Sequence, residues 1–382
     1  MADFSFKISP NIILGSYTTS RLGQFALEYG NRFMLVLDPI LKESGLAEKI
    51  SESLSNRQID FFTFEGVTEG SNTKTIQQAL ELAKKSHVNG VIAAGGGKAL
   101  NVARAVCAVY NETKDFYDFV DGASPSAEPL PLICLPTTIR DSFLFTDYVP
   151  LTDSRSSQTK ILKCQNKLCK LIIFDPNLTV SLTNNQIDSM SLETLCIATE
   201  AYLSQKSSFF SDMLAEKAIS ILGIAGDESE EPSITTPREE LLSQGGCMAS
   251  LAAGTSAIGT PSLLAMCINA RFKISRSLTT TIFFPYFVED CAKFKVGKIA
   301  FIAKLLHLSK EGDTDEQAAQ AYVDYIRQRI AKANLPARLK DLSISIDQLA
   351  LAAEDAGKIE FINTLPRSMT SDDLFDLAKA AF

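Results

Sequence analysis

Residues 90–107 read GVIAAGGGKALNVARAVC, and they indicate the fold class more directly than any other segment of the chain. Residues 91–94 form a short apolar run, which is typical of a strand buried on both faces. Three glycines follow, and Leu100, Ala103 and Cys107 then recur at helical spacing. A buried strand that turns through glycines into a helix predicts an α/β fold with a parallel sheet.

Similar apolar runs lie on both sides of this segment. We predict further strands at Phe33–Leu37, Asp60–Phe64, Leu130–Leu135 and Leu171–Phe174, with helices at 44–54 and 73–86. From Thr183 onward nearly every segment has helical period. The sequence therefore predicts an α/β domain with a Rossmann-like parallel sheet over residues 1–176, and an all-helical domain over residues 177–382. Breaks between helices are expected at residues 227–232, 236–237, 285, 312–315, 336 and 366.

Composition excludes several classes of protein. The chain has 382 residues, 46% hydrophobic and 21% charged, which is the composition of a soluble globular protein of about two domains. Its formal charge of −8 disfavours nucleic acid or an anionic membrane as the main partner. The eight cysteines form no CxxC pair, and neither a signal peptide nor a membrane-spanning run is evident. We expect buried reduced thiols and a cytoplasmic protein.

The glycine triplet has two interpretations. Glycines leave backbone N–H groups open to a pyrophosphate, and the following helix presents its positive end to the anion. The spacing matches neither GxGxxG nor a Walker loop, and a triple glycine also occurs in plain tight turns. Asp38 ends an earlier predicted strand, where an acid accepts hydrogen bonds from a ribose diol and repels a 2′-phosphate, favouring NAD over NADP. A cap on the turn before Pro39 is the alternative role for Asp38.

Several motifs resemble the superfamily of iron-containing alcohol dehydrogenases, glycerol dehydrogenases and dehydroquinate synthases. Gly95–Arg104 resembles its GGG[SK]xxDxAK signature, and Leu135–Thr138 resembles its PTT element. Phe174–Thr179 is similar to the DPxLT segment, and Glu193–Tyr202 to the DALxHAxEAY helix. Asn363–Arg367 resembles the closing NPR segment. The motifs occur in family order over essentially the whole chain.

The resemblance implies a dehydroquinate synthase-like fold, in which residues 1–176 form the dinucleotide-binding domain and residues 177–382 carry the metal and substrate site, with the metal in the cleft between the two domains. It also implies a homodimer or higher homo-oligomer. Asn101 stands where the family has Asp, and Arg104 where it has Lys. Residues 139–142, Ile-Arg-Asp-Ser, replace the glycine-rich stretch that usually follows PTT. By position, the resemblance implies that the cofactor-binding residues are Asp38, Gly95, Gly96, Gly97, Lys98, Asn101, Thr137 and Thr138.

The family's metal ligands are missing. Glu193 stands at the position of the Asp ligand, and Ile197 at that of the His four residues later. The other His positions map near Met266 and Arg276, and residues 254–285 contain no histidine. An acid beside Ile, Met and Arg is a poor set of donors for iron or zinc, although Cys267 with Glu193 would rebuild part of a soft site. We therefore predict that a divalent metal is absent or weak. The two histidines of the chain, His87 and His307, are expected at surface or packing positions.

Cations follow in the same part of the sequence. Arg271, Lys273 and Arg276, with Arg140 from the α/β half, are candidates to bind an anionic substrate or to stabilise an oxyanion. A solvated basic helix end is the alternative. The candidate catalytic residues are Glu193, Arg276 and Lys273, and no metal ligand is assigned.

Three functions remain open at this point. The first is an NAD-dependent oxidoreductase that acts on a small alcohol, polyol or aldehyde. The second is an inactive family member with a nucleotide-sensing or partner-binding role. The third is a sugar-phosphate lyase or cyclase of the dehydroquinate synthase type.

Overall fold

The computed structural model describes residues 10–165, 168–179, 183–226 and 236–382. The chain divides into two compact units, Met1–Ser181 and Leu182–Phe382. The division lies five residues beyond the boundary placed at 176/177 from the sequence.

The first unit is built on a parallel sheet of six strands in the order β1-β8-β5-β4-β2-β3, each pair of neighbours running parallel. A separate antiparallel hairpin is formed by β6 and β7. The strands are β1 (Asn11–Leu14), β2 (Arg32–Leu37), β3 (Asp60–Phe64), β4 (Gly90–Gly95), β5 (Leu132–Pro136), β6 (Tyr148–Asp153), β7 (Gln158–Lys163) and β8 (Cys169–Phe174).

Helices cover both faces of this sheet. Alternate residues of β2, Phe33, Leu35 and Leu37, pack in one core with α1 and α3. On the other face α5 packs against β4 and β5, and α4 packs against α5. The helices of the unit are α1 (Leu22–Ala26), α2 (Ile40–Glu43), α3 (Leu46–Ser55), α4 (Thr73–Lys85), α5 (Gly97–Val109) and α6 (Phe116–Val120).

All four strand predictions beside β4, and the helices between them, are confirmed to within a few residues. The strand β1 and the β6-β7 hairpin were not predicted from the sequence. β1 has only four residues, and β6 carries Pro150 within a run that is not continuously apolar, so neither gives a strong periodic signal.

The second unit is helical throughout its described residues, as predicted. Its first helix begins after Thr183, whose side chain accepts a hydrogen bond from the Gln186 backbone N–H in a capping box. The helices are α7 (Asn184–Leu203), α8 (Phe209–Gly226), α9 (Arg238–Thr255), α10 (Thr260–Phe272), α11 (Arg276–Leu305), α12 (Asp315–Lys332), α13 (Ile346–Gly357) and α14 (Ser371–Ala380).

The helix break expected at Pro285 is wrong, because Pro285 lies inside α11. Proline removes one backbone N–H, but fully buried Phe283, Phe284 and Phe287 hold this part of the helix in the core. The irregular backbone lies instead at Lys295, where φ is −132° and ψ is 32°. The predicted breaks near residues 236, 312, 336 and 366 are confirmed, and residues 227–232 lie outside the described residues.

Within the described ranges, no single helix is long and apolar enough to cross a membrane. α9 and α10 meet the length and composition criterion only as a pair, and they are bent by 95°.

Candidate functional site

The glycine loop joins β4 to α5 and is shaped by steric contact. Gly95 has a φ of +156°, and a Cβ at this position would lie 2.7 Å from Ala99 Cβ and 2.9 Å from Asp38 Cβ. A Cβ on Gly96 would lie 3.1 Å from Thr138 Cγ2. Gly95 therefore needs glycine to let the neighbouring segments approach, whereas a side chain at position 96 would require Thr138 to shift by a few tenths of an ångström.

Three adjacent strand ends meet at this loop. The Asp38 backbone N–H, at the end of β2, donates to the Ala94 carbonyl at 2.9 Å. The Thr137 N–H, at the end of β5, donates to the Gly95 carbonyl at 3.0 Å. The structure thus brings together five of the predicted cofactor residues: Asp38, Gly95, Gly96, Thr137 and Thr138. In open α/β sheets this edge, at the carboxyl ends of the strands, is where ligands bind.

The Asp38 side chain also makes the capping contact that was its alternative role. Its Oδ1 accepts a hydrogen bond from the Ile40 N–H at 3.4 Å, and the side chain is partly exposed. This single weak contact leaves carboxylate lone pairs available, so the ribose role stays a prediction.

The first turn of α5 has no capping side chain at Gly96 and no acidic residue of its own. Its N–H groups form an anion-binding end of the kind that a pyrophosphate fits. The exposed Lys98 donates from Nζ to the Thr68 carbonyl at 3.3 Å. Asn101 is 3% exposed, and among the described residues its Oδ1 has no hydrogen-bond partner. An orphaned amide oxygen of this kind is satisfied by a hydrogen-bond donor and not by an anionic phosphate oxygen.

Arg104, at the family's Lys position, has a structural role. It is buried, and its Nη2 donates to the Thr146 carbonyl at 2.6 Å. This contact ties α5 to the loop that precedes β6.

The catalytic candidates lie in the second unit, on helices that pack against one another. Glu193 on α7 is 3% exposed, and Ile197, one turn later, is also buried. Met266 is buried on α10, and Arg276 is the first residue of α11. α11 packs against both α7 and α10. Among the described residues, the buried Nε of Arg276 has no hydrogen-bond partner.

The other two cations of this segment have structural partners. Arg271 forms an ion pair with Asp355 on α13, with Nη2 donating to Oδ1 at 2.9 Å and Nε donating to Oδ2. This fork-like pair engages two of the three guanidinium nitrogens in a structural contact, and a role for Arg271 in binding a substrate stays a prediction. Lys273 is exposed at the C-cap of α10, and its Nζ donates to the Ala270 carbonyl at 3.2 Å. Its position matches the alternative of a basic helix end.

The donor set does not fit the family's metal. Among the described residues no group of three or more His, Cys, Asp or Glu side chains is placed to hold an ion. Glu193 has Ile197 one turn away, and Cys267 is fully buried. His87 and His307 are both exposed at helix ends, as expected for surface residues. We therefore derive no chemical step through a metal.

Sequence reasoning gave no role to Glu200, which is fully buried on α7. Its carboxylate accepts hydrogen bonds from the Ser262 N–H at 2.8 Å and from Ser262 Oγ at 2.6 Å, at the N-terminus of α10. Burial raises the pKa of Glu200 to about 7, although the bonds from Ser262 act in the opposite direction. The sequence did contain a signal for this residue: Glu200 is a second acid, seven residues after Glu193, within the same largely apolar segment.

The eight cysteines are all free, and seven of them are buried. Cys134 on β5 and Cys169 on β8 lie with their Sγ atoms 3.8 Å apart. Burial raises the pKa of the Cys107 and Cys196 thiols well above the ordinary value, which keeps these groups protonated and unreactive.

Comparison with known proteins places this fold and site in a family. The family model for iron-containing alcohol dehydrogenases matches residues 9–176, and that for the C-terminal domain of the Fe-containing alcohol dehydrogenase family matches residues 187–382. The chain therefore belongs to the iron-containing alcohol dehydrogenase family, and it is an oxidoreductase of the alcohol dehydrogenase type.

Relatives align over nearly the whole chain at low identity. The NADPH-dependent butanol dehydrogenase of Clostridium saccharobutylicum is 23% identical over 94% of this chain and 93% of its own. The NADH-dependent butanol dehydrogenase B of Clostridium acetobutylicum is 22% identical over 94% of each chain. The crystal structure of a 1,3-propanediol oxidoreductase superposes with a TM-score of 0.91 at 20% identity, covering 99% of this chain and 100% of that one. This structural likeness confirms the fold predicted from the sequence.

Proposed function

We propose that the protein is an NAD(H)-dependent oxidoreductase that transfers hydride to or from a small alcohol, polyol or aldehyde, with a remodelled site in place of the family's metal. The observation that carries the proposal is the meeting of Asp38, Gly95, Gly96 and Thr138 at the uncapped end of α5. Relatives named for NADH and for NADPH are both found, so the preference for NAD rests on the Asp38 carboxylate.

Each group at the cofactor end has a proposed task. The N–H groups of Gly97 and Lys98 bind the pyrophosphate, and Asp38 accepts hydrogen bonds from the adenosine ribose. Thr137 and Thr138 lie toward the nicotinamide side. The nicotinamide ring, when bound, supplies the hydride donor or acceptor.

The catalytic groups handle charge and a proton on the substrate oxygen. Arg276 donates a hydrogen bond to that oxygen and stabilises the developing alkoxide, which its buried Nε supports. Glu193 exchanges the hydroxyl proton. Lys273, exposed at the end of α10, contributes positive charge for an anionic substrate.

Calorimetric titration with NAD⁺ and NADH tests the cofactor half, and a panel of alcohols, polyols and aldehydes followed by nicotinamide absorbance tests the reaction. We expect binding of both nucleotides and turnover of at least one substrate. Arg276→Lys should lower kcat more than it changes the Kd for NADH. Lys332→Arg, which also exchanges one positively charged side chain for another, is the control. No binding of either nucleotide would contradict the proposal.

A second candidate function follows from the donor set around Glu193. A family member with Ile197 in place of a ligand has lost the usual electrophile, so it could survive as a nucleotide-binding protein without catalysis. Tight NADH binding with no turnover over the panel, with and without added Fe²⁺, Zn²⁺ or Mn²⁺, would favour this candidate.

We also propose a cytoplasmic location and no nucleic-acid or membrane partner. The net charge of −8 and the free cysteines support these proposals.

A further inference from the structure

The loop that follows β5 places an acidic side chain against the glycine loop. A Cβ on Gly97, the first residue of α5, would lie 3.9 Å from Asp141 Oδ2. Asp141 belongs to the Ile139–Ser142 stretch, which replaces the family's small residues. The Asp141 carboxylate therefore lies beside the first residue of α5, on the side to which a Gly97 side chain would point.

Hydrogen bonds hold Asp141 in this place. Its Oδ1 accepts from the Phe143 N–H at 2.8 Å, and its carbonyl accepts from the Leu144 N–H at 3.4 Å. Upstream, Thr138 Oγ1 donates to the Arg140 carbonyl at 3.1 Å. Phe143 and Leu144 are 3% and 2% exposed, so the residues that follow Asp141 in the chain anchor the loop in the core.

The electrostatics of this position favour an anion. The N-terminal end of α5 carries a partial positive charge, and α5 has no acidic residue in its own first turn. A carboxylate supplied from the β5 loop therefore stabilises the helix end in the ligand-free chain. A pyrophosphate bound at the same end would meet a like charge at close range, which disfavours binding.

We propose that Asp141 lowers the dinucleotide affinity of this site by competing with the pyrophosphate for the N-terminal end of α5. The inference rests on the proposed function, since it concerns the same cofactor loop. The affinity for NADH is then set by two opposing features of one site: glycines that admit phosphate, and a carboxylate that repels it.

The test compares Asp141→Asn with the unchanged protein. The variant keeps an oxygen that accepts from the Phe143 N–H but removes the negative charge. At low ionic strength and constant pH, we expect the calorimetric Kd for NADH to fall roughly tenfold, and the difference to shrink in high salt. Asp118→Asn, an exposed acid on α6 with the same charge change, is the matched control and should leave Kd within twofold.

A second readout uses inorganic phosphate alone and does not depend on the cofactor. Without ligand, Asp141→Asn should have a lower Tm than the control variant, and phosphate should raise its Tm more than it raises that of the unchanged protein. Asp141→Ser serves the same purpose if the Asn variant does not fold.

The outcomes separate the two proposals. Equal or weaker NADH binding by Asp141→Asn overturns this inference while leaving the proposed function intact. If neither the unchanged protein nor the variant binds NAD⁺ or NADH, the proposed function fails and the phosphate readout decides. A larger phosphate-induced rise in Tm for Asp141→Asn than for the unchanged protein then supports the inference, and an equal rise overturns it.

Discussion

Gly95 is constrained from two sides and by its own backbone. Its φ of +156° is rare for residues with a side chain, and Ala99 and Asp38 occupy the space that a Cβ would need. The Ala94 carbonyl, one residue before it, accepts from the Asp38 N–H, so the strand end cannot move away without losing a hydrogen bond. The shape of the glycine loop is therefore set by the close approach of Ala99 and Asp38 to Gly95 and by this hydrogen bond.

We predict that Gly95→Ala lowers the free energy of unfolding by roughly 2–4 kcal/mol, because it combines backbone strain with overpacking. Urea titration followed by circular dichroism measures the change. Gly97→Ala is the control: its Cβ would lie 3.9 Å from Asp141 Oδ2, an ordinary contact, and alanine favours the helix by up to about 1 kcal/mol. Equal stability of the two variants would show that the contacts around Gly95 relax easily.

Asp38→Asn tests the cofactor preference. The substitution removes the charge that repels a 2′-phosphate, so we expect the ratio of the Kd for NADPH to the Kd for NADH to fall about tenfold. Fluorescence titration with both nucleotides measures the ratio. Glu43→Gln, an exposed acid on α2, controls for the loss of one negative charge. An unchanged ratio would assign Asp38 to the turn cap alone.

At the scale of elements, buried polar groups join the helices of the second unit. Glu200 connects α7 to the first turn of α10, where a Cβ on Gly259 would lie 2.7 Å from Glu200 Cγ. Arg271 connects the last turn of α10 to α13 through Asp355, which is 5% exposed. The helix that carries Met266 is thus anchored at both ends, which fixes its position relative to α7.

The raised pKa of Glu200 predicts a pH-dependent stability. A carboxyl pKa that is raised from 4.5 in the unfolded chain to about 7 in the folded chain corresponds to roughly 3 kcal/mol in the free energy of unfolding between low and high pH. Because the folded-state pKa is the higher one, this stability is fully present below about pH 4.5 and is lost as the pH rises through about 7. Glu200→Gln cannot ionise, so its stability relative to the unchanged protein should rise by about 2–3 kcal/mol between pH 5 and pH 8.

Urea titrations at both pH values measure this difference. Glu316→Gln, at an exposed position on α12, controls for the loss of one glutamate. If the free energies of unfolding of Glu200→Gln and of the unchanged protein differ by the same amount at both pH values, Glu200 keeps one protonation state between pH 5 and pH 8.

For the whole molecule, the two units differ in how closely their sequences follow the motifs of the family. The α/β unit keeps the glycine loop and the strand-end residues around it. The helical unit keeps the fold but has Ile197, Met266 and Arg276 at or near the family's ligand positions. The chain thus has the architecture of the iron-containing family, and we propose that its metal site is remodelled.

We predict that the purified protein contains substoichiometric iron and zinc and that chelation leaves the NADH affinity unchanged. The reason is that, in the part of the chain that the structure describes, no group of three His, Cys, Asp or Glu side chains is placed to hold an ion. Mass spectrometry of metals in protein from iron- and zinc-supplemented cultures measures the content. Stoichiometric metal whose removal abolishes an activity would contradict this prediction.

A homodimer or higher homo-oligomer is also expected from the family. Light scattering coupled to size exclusion should give a mass of at least twice the 41.6 kDa of one chain. A monomer at micromolar concentration would contradict this expectation.

Local patterns in the sequence predicted most of the architecture. Apolar runs located β2, β3, β4, β5 and β8, because a strand buried on both faces must be continuously apolar. The glycine triplet predicted the loop before α5, and at Gly95 the backbone angle and the neighbouring atoms leave no room for a Cβ. The two-histidine count predicted a changed metal site, because ligand types can be read directly from the sequence.

What the sequence by itself determined was therefore local: periodicity, permitted backbone angles and the residue types available. Only the tertiary structure decided that Arg271 pairs with Asp355, that α11 continues through Pro285, and that Asp141 lies against α5. Each of these depends on segments that are separated along the chain or on packing around a helix. The energy of such contacts arises from positions that only the folded chain brings together.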